Sequence, residues 1–157
     1  MSIGSLFQNF PGKDALVAAV VDRHAADLMQ VVRDALEEVI ALPLGTAVRR
    51  IVSVAIEAHH VDPKLHRVVA EQIPRSGRLE NVADINRRYF GFFRGYLEAH
   101  KAETRRTDLD LAAFVCVTSI EAVTHNAVLN HSDLLSDGGV EALIEEATRL
   151  VVGYLSD

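Results

Sequence analysis

Apolar residues return every three or four positions through almost the whole of this chain, and no run alternates apolar and polar residues as a half-buried strand would. That period is the helical one, so the chain is expected to be all-α. The first segment spans 13–40, where Leu28, Val32, Ala35, Leu36 and Val39 form one stripe. Arg23, Asp27, Gln30, Asp34, Glu37 and Glu38 occupy the other side. Pro43 ends it, and Val48, Ile51, Val52, Ala55 and Ile56 begin a second stripe. Asp62-Pro63 resembles a helix start, leading to a short helix with Leu65, Val68, Val69 and Ile73. A long aromatic-rich helix is expected over 81–103, followed by a charged, solvated connection at Thr104, Arg105 and Arg106. Thr107-Asp108 then caps a helix over 111–131 that is apolar almost all round from Leu111 to Ile120, as expected of an element covered on several sides. A turn at Ser136-Asp137-Gly138-Gly139 precedes the last helix.

The 157 residues are enough for one domain with a full core. With 49% hydrophobic and 24% charged residues the balance is that of an ordinary globular domain. A net charge of −6 argues against a module built only for nucleic acid, because phosphate neutralisation supplies most of the affinity of such modules. Cys116 is the sole cysteine, so no intrachain disulfide and no thiolate zinc cluster can form. No leader pattern and no uninterrupted apolar run of membrane-spanning length stands out, and a cytoplasmic protein without membrane partners is expected.

The most specific stretch is the opening: Ser2-Ile3-Gly4-Ser5-Leu6-Phe7-Gln8-Asn9-Phe10-Pro11-Gly12-Lys13-Asp14-Ala15-Leu16. It resembles the junction at which the recognition helix of TetR-family transcriptional regulators ends and the long connecting helix begins. The resemblance implies that Leu6 and Phe10 anchor the recognition helix, and that Ser2, Gly4, Ser5, Phe7, Gln8, Asn9 and Lys13 lie against operator DNA. The family often carries tyrosine where Phe7 and Asn9 stand; Phe7 lacks a hydroxyl for phosphate, whereas Asn9 can still donate. On this reading residues 1–12 are the remnant of a helix-turn-helix head and 13–157 an effector-binding and dimerisation domain. Two helices precede the recognition helix in the family and would need about 40 residues at ordinary helix and loop lengths. A truncated head, with weak operator binding by the chain as written, is therefore expected.

The resemblance also implies a ligand cavity against the helix that holds Tyr89, Phe90, Phe92, Phe93 and Tyr96. Five aromatics in eight residues cover more than two turns and cannot all face one stripe. Asn86, Phe90 and Phe93 are expected to line a largely apolar pocket, with Glu121 and His125, one turn apart, as its polar contacts. Glu121 with His125, and His59, His60 and His66, have spacing a metal could use, but a hydrogen-bonded pair at the cavity is the simpler reading; no metal and no cofactor is expected. In the last two helices Ala112, Cys116, Ser119, Val123 and Ala127, with Leu143, Ala147, Leu150, Val151 and Tyr154, are expected to form a four-helix bundle across the two-fold axis of a homodimer. Cys116 reads as a small buried hydrophobe rather than a redox switch.

No metalloprotease, P-loop, nucleophile-elbow or dinucleotide motif occurs, so an enzyme is not expected. The expectation is a ligand-responsive regulator, most often a repressor in this family, acting as a homodimer on operator DNA under a largely apolar small-molecule effector. The alternatives are a head-less ligand-binding module that sequesters a full-length partner, and an all-α enzyme using Glu121 and His125.

Overall fold

Pro43 has no backbone N–H and so cannot continue a preceding helix, yet its carbonyl accepts from the Ala47 N–H at 3.0 Å and opens the next one. In the computed structural model, which describes residues 12–60, 79–136 and 138–157, this corner joins the first two helices. Among the described residues the chain is all-helical: α1 (Lys13–Val39), α2 (Leu44–His60), α3 (Leu79–Ala99), α4 (Leu109–Asn130) and α5 (Gly139–Ser156). Single 3-10 turns follow α3 at Lys101–Glu103 and α4 at Ser132–Leu135. The short helix expected around Leu65 lies outside the described residues.

The core gathers one stripe from each helix. Val48, Val52 and Ile56 of α2 have almost no exposed surface and meet Val39 at the end of α1. Phe93, Tyr96 and Leu97 of α3, Ala112, Ala113, Cys116 and Ile120 of α4, and Ile144, Ala147, Val151 and Leu155 of α5 complete the cluster. α2 is the central element, packing on α1, α4 and α5, while α3 lies along α4. The small residues Ala112, Ala113 and Cys116 are what let α4 approach α2 and α3 closely.

At 27 residues α1 is about 40 Å long at 1.5 Å per residue. Ala35 and Val39, in its last turns, are buried, whereas Val20 and Val31 further up are exposed. Val39 at its C-terminal end belongs to the core cluster, and Ala18 near its start is also buried.

Two expectations about α4 need adjusting. Asp108 is the cap, accepting from the Leu111 N–H at 3.0 Å, so the helix starts at Leu109. The apolar stretch, expected to be covered on several sides, packs on α2, α3 and α5 but leaves Leu111 and Phe114 more than half exposed, 55% and 54%. α4 is also the one described helix long and apolar enough, by length and composition, to cross a membrane. Its buried residues, Leu109 to Val128, belong to the packed side of a helical domain.

The turn into α5 depends on glycine. Gly138 has φ +87°, in the left-handed region. A β-carbon on Gly139 would collide with the Leu134 carbonyl.

Candidate functional site

The aromatic run on α3 divides by helical position. Phe93 and Tyr96 point into the core, their ring centroids 6.3 Å apart. Phe92 faces outward and is 41% exposed. Tyr89 and Phe90 are half-buried between these limits, on the side that meets α4. Phe90 reaches the Phe114 ring at 6.3 Å, tilted by 54°. Tyr89 is within electrostatic range of Glu121: burial first, and the Glu121 carboxylate second, push its hydroxyl up to about 12. It therefore stays a neutral phenol, able to donate toward a ligand or a carboxylate.

Of the five residues expected at an effector pocket, Phe90 and Glu121 are thus drawn to one neighbourhood on the α3–α4 seam. Phe93 is 2% exposed and part of the core. His125 follows Glu121 by one turn and is half-buried, and Glu121 itself is exposed. The side chain of Asn86 lies outside the described residues. Tyr89 is the member that sequence reasoning passed over. Its spacing matched its aromatic neighbours, and only the position of α4 singles it out. Among the described residues no three His, Cys, Asp or Glu converge as a metal site would require; the side chains of His59 and His60, and all of His66, lie outside those residues.

A second cluster joins three elements at the corner between α1 and α2. The helix expected to run to Glu103 stops at Ala99, and His100 and Glu103 turn back toward residues 40–44. His100 Nε2 lies 2.8 Å from the Ile40 carbonyl, and its Nδ1 lies 2.7 Å from Glu103 Oε1. Glu103 Oε2 accepts from the Leu44 N–H at 2.8 Å. α2 has no acidic residue in its own first turn. Glu103 supplies one from 59 residues away, at the helix end where a negative charge is favoured. The Tyr96 hydroxyl donates to the Leu42 carbonyl at 2.8 Å, and its ring stacks on His100 with centroids 4.3 Å apart. One turn further out, Arg50 of α2 pairs with Glu38 of α1 at 3.1 Å.

The charged connection after this turn is a cap and not the freely solvated linker its composition suggests. α5 has no basic residue in its last turn, and its terminal carbonyls recruit donors from outside. Thr104 Oγ1 and the Arg105 N–H donate to the Leu155 carbonyl, each at 2.9 Å. Arg106 Nε donates to the Tyr154 carbonyl at 2.5 Å, and its guanidinium sits 4.3 Å from the centre of the Tyr154 ring. Seven consecutive residues, 100–106, thereby hold the start of α2 and the end of α5. Beside them, Arg94, Glu98, Lys101, Thr107, Asp108, Leu109 and Asp110 line a polar surface groove. Within it Arg94 pairs with Glu98 at 3.1 Å and with Asp110 at 3.3 Å.

The residues expected at DNA, Ser2, Gly4, Ser5, Phe7, Gln8 and Asn9, lie outside the described residues, as does the Lys13 side chain. The ten expected at a dimer interface fall into two groups. Ala112, Cys116, Ala127, Ala147 and Val151 are all 4% exposed or less within the single chain. They have almost no surface left for a partner. Ser119, Val123, Leu143 and Tyr154 are half-exposed, and Leu150 is 55% exposed. Leu111 and Phe114, not among the ten, are open to the same degree as Leu150.

A family model described as tetracyclin repressor-like, C-terminal domain, matches residues 43–155, well over half of the chain. It begins at the α1–α2 corner and ends with α5. No curated protein matches. Among solved structures, the chain is similar to the crystal structure of a bacterial regulatory protein of the tetR family from Rhodococcus RHA1. The TM-score is 0.73 at 16% identity, over 99% of this chain and 80% of the other. At that identity the likeness is one of fold, and it agrees with the helix order above. On the family match and this architecture together, the chain belongs to the TetR family of regulators.

Proposed function

We propose that this chain is the effector-sensing, dimer-forming body of a ligand-responsive transcriptional repressor that works in the cytoplasm. The observation that carries the reading is the course of α1 within a TetR-family domain. One end adjoins the segment whose residues resemble a recognition helix, and the other is pinned in the core beside α2 and α3. A helix so placed turns a change in the body into a displacement at its far end.

The effector is a small, largely apolar molecule with at least one polar group. The α3–α4 seam supports this, with the Phe90 ring for apolar contact and the Tyr89 hydroxyl and Glu121 carboxylate for polar contact. His125 and Asn86 complete the set, and no metal or cofactor takes part. Ligand binding then biases the dimer between arrangements that do and do not match successive major grooves. Ser2, Gly4, Ser5, Phe7, Gln8, Asn9 and Lys13 supply the DNA contacts.

The partner is a second copy of the chain. Leu150, with the half-exposed Leu143, Ser119, Val123 and Tyr154, gives the contact surface on α4 and α5. The buried alanines and Cys116 set the spacing of the helices behind it. Light scattering on the purified chain at micromolar concentration tests the reading. Twice the 17.2 kDa chain mass is expected, and a monomer would contradict it, because two half-sites need two subunits.

A further inference from the structure

The corner between α1 and α2 holds a histidine whose two ring nitrogens both face acceptors. The Ile40 carbonyl next to Nε2 can only accept. Beside Nδ1 stands a Glu103 carboxylate whose other oxygen already takes the Leu44 N–H. A neutral imidazole carries one N–H and can satisfy one of these two; the imidazolium satisfies both. We propose that His100 is a proton-operated latch that holds the α1–α2 corner against the end of α3, so that the set of α1 responds to protonation of this ring. The latch does not depend on the regulator reading. Under that reading it puts a proton on the same element that would carry an effector signal.

The surroundings leave the charge of the ring to Glu103. From α1 the contact is a backbone carbonyl, and Glu38, the nearby carboxylate, is held by Arg50. From α2 the Leu44 N–H goes to the Glu103 carboxylate. From α3 comes the neutral Tyr96 ring, whose hydroxyl is spent on Leu42, while Glu98 is held by Arg94 and Lys101 faces the outer groove. The bond to the Ile40 carbonyl, then the bond to Glu103, raise the His100 pKa above 6.5; burial opposes them. The bond from Leu44, then that from His100, hold Glu103 below the usual carboxylate value.

His100 contributes stability that is fully present below its ordinary value of 6.5 and is lost as pH rises through its raised value. Glu103 contributes stability present above its ordinary value of 4.5 and lost as pH falls through its lowered one. Both partners are charged in the interval between, and the latch opens on the alkaline side by losing the His100 proton. One ring nitrogen then points a lone pair at the carboxylate or at the carbonyl.

An NMR titration of the whole chain, without DNA or effector, tests this. The His100 ring is expected to titrate above 6.5. The amides of Leu42, Leu44 and Ala47 should follow with the same midpoint while those of Ile144 and Ala147 in α5 do not. Exchange of the Leu44 amide, corrected for its intrinsic pH dependence, should rise roughly tenfold across that midpoint, as expected for loss of one charge-assisted hydrogen bond. E103Q should bring the His100 midpoint down toward 6.5, and H100Q should remove the shared response of the corner amides. A ring that titrates at or below 6.5 in the wild type would overturn the proposal, as would corner amides that ignore it or that still respond in H100Q. The wild-type titration decides the matter even where a variant fails to fold. A monomeric or DNA-inactive chain would leave the result intact.

Discussion

Tyr96 has two roles, since its ring fills the core next to Phe93 and its hydroxyl holds the Leu42 carbonyl across 54 residues of chain. Burial and then the Glu103 charge push its hydroxyl up to about 12, so it is a neutral donor throughout the working range. Tyr96→Phe keeps the ring and removes the donor. It should lower stability by about 1 kcal/mol in urea unfolding, the net worth of one partly buried hydrogen bond. No change would mean that the corner is held without it. Cys116 is the opposite kind of residue, small and inert. Burial pushes its thiol up to about 12, against a smaller opposing pull from Arg106. The native protein should therefore resist a disulfide-exchange reagent at pH 8, and the thiol should react fully only in denaturant; rapid native labelling would place it at the surface. Its character as a small hydrophobe was readable from type alone. The roles of His100 and Glu103 were not, because their partners are backbone atoms some 60 residues away, which no local pattern marks.

At the scale of elements, periodicity located α1, α2, α4 and α5, because each has a stripe that the core covers. The end of α3 was misjudged by a few residues. Nothing intrinsic stops the helix at Ala99; the pull of residues 40–44 on His100 and Glu103 does. Small residues on α4 and α5 were ambiguous in the same way. An alanine stripe signals close helix approach but does not say whether the approaching helix belongs to the same chain, and much of the stripe is spent inside. This division makes a paired prediction on α5. Leu155 has no exposed surface, so Leu155→Ala should cost about 3 kcal/mol of stability. Leu150 is 55% exposed, so Leu150→Glu should leave helical content intact and shift the light-scattering mass toward the monomer. A variant L150E that stays fully dimeric would move the interface to another face, with Leu111 and Phe114 the next candidates.

At the scale of the whole molecule, α1 leads into a helical body. α1 is anchored at one end, and residues 100–106 tie the anchor to the helix that ends the chain's core, α5. The chain belongs to the TetR family, to which the resemblance of its opening residues pointed before any packing was known. The aromatic seam was legible only in part, since Tyr89 and Phe90 differ from Phe93 by rotation about α3, which the position of α4 defines. A protein that regulates transcription changes the output of a promoter when it is removed. The most direct test joins the DNA flanking its gene to a reporter and compares the native host with a strain deleted for the gene. Repression predicts that reporter output rises on deletion and returns to its original level when the gene is restored. Output that is the same with and without the gene, under conditions in which the protein is present, would contradict the account.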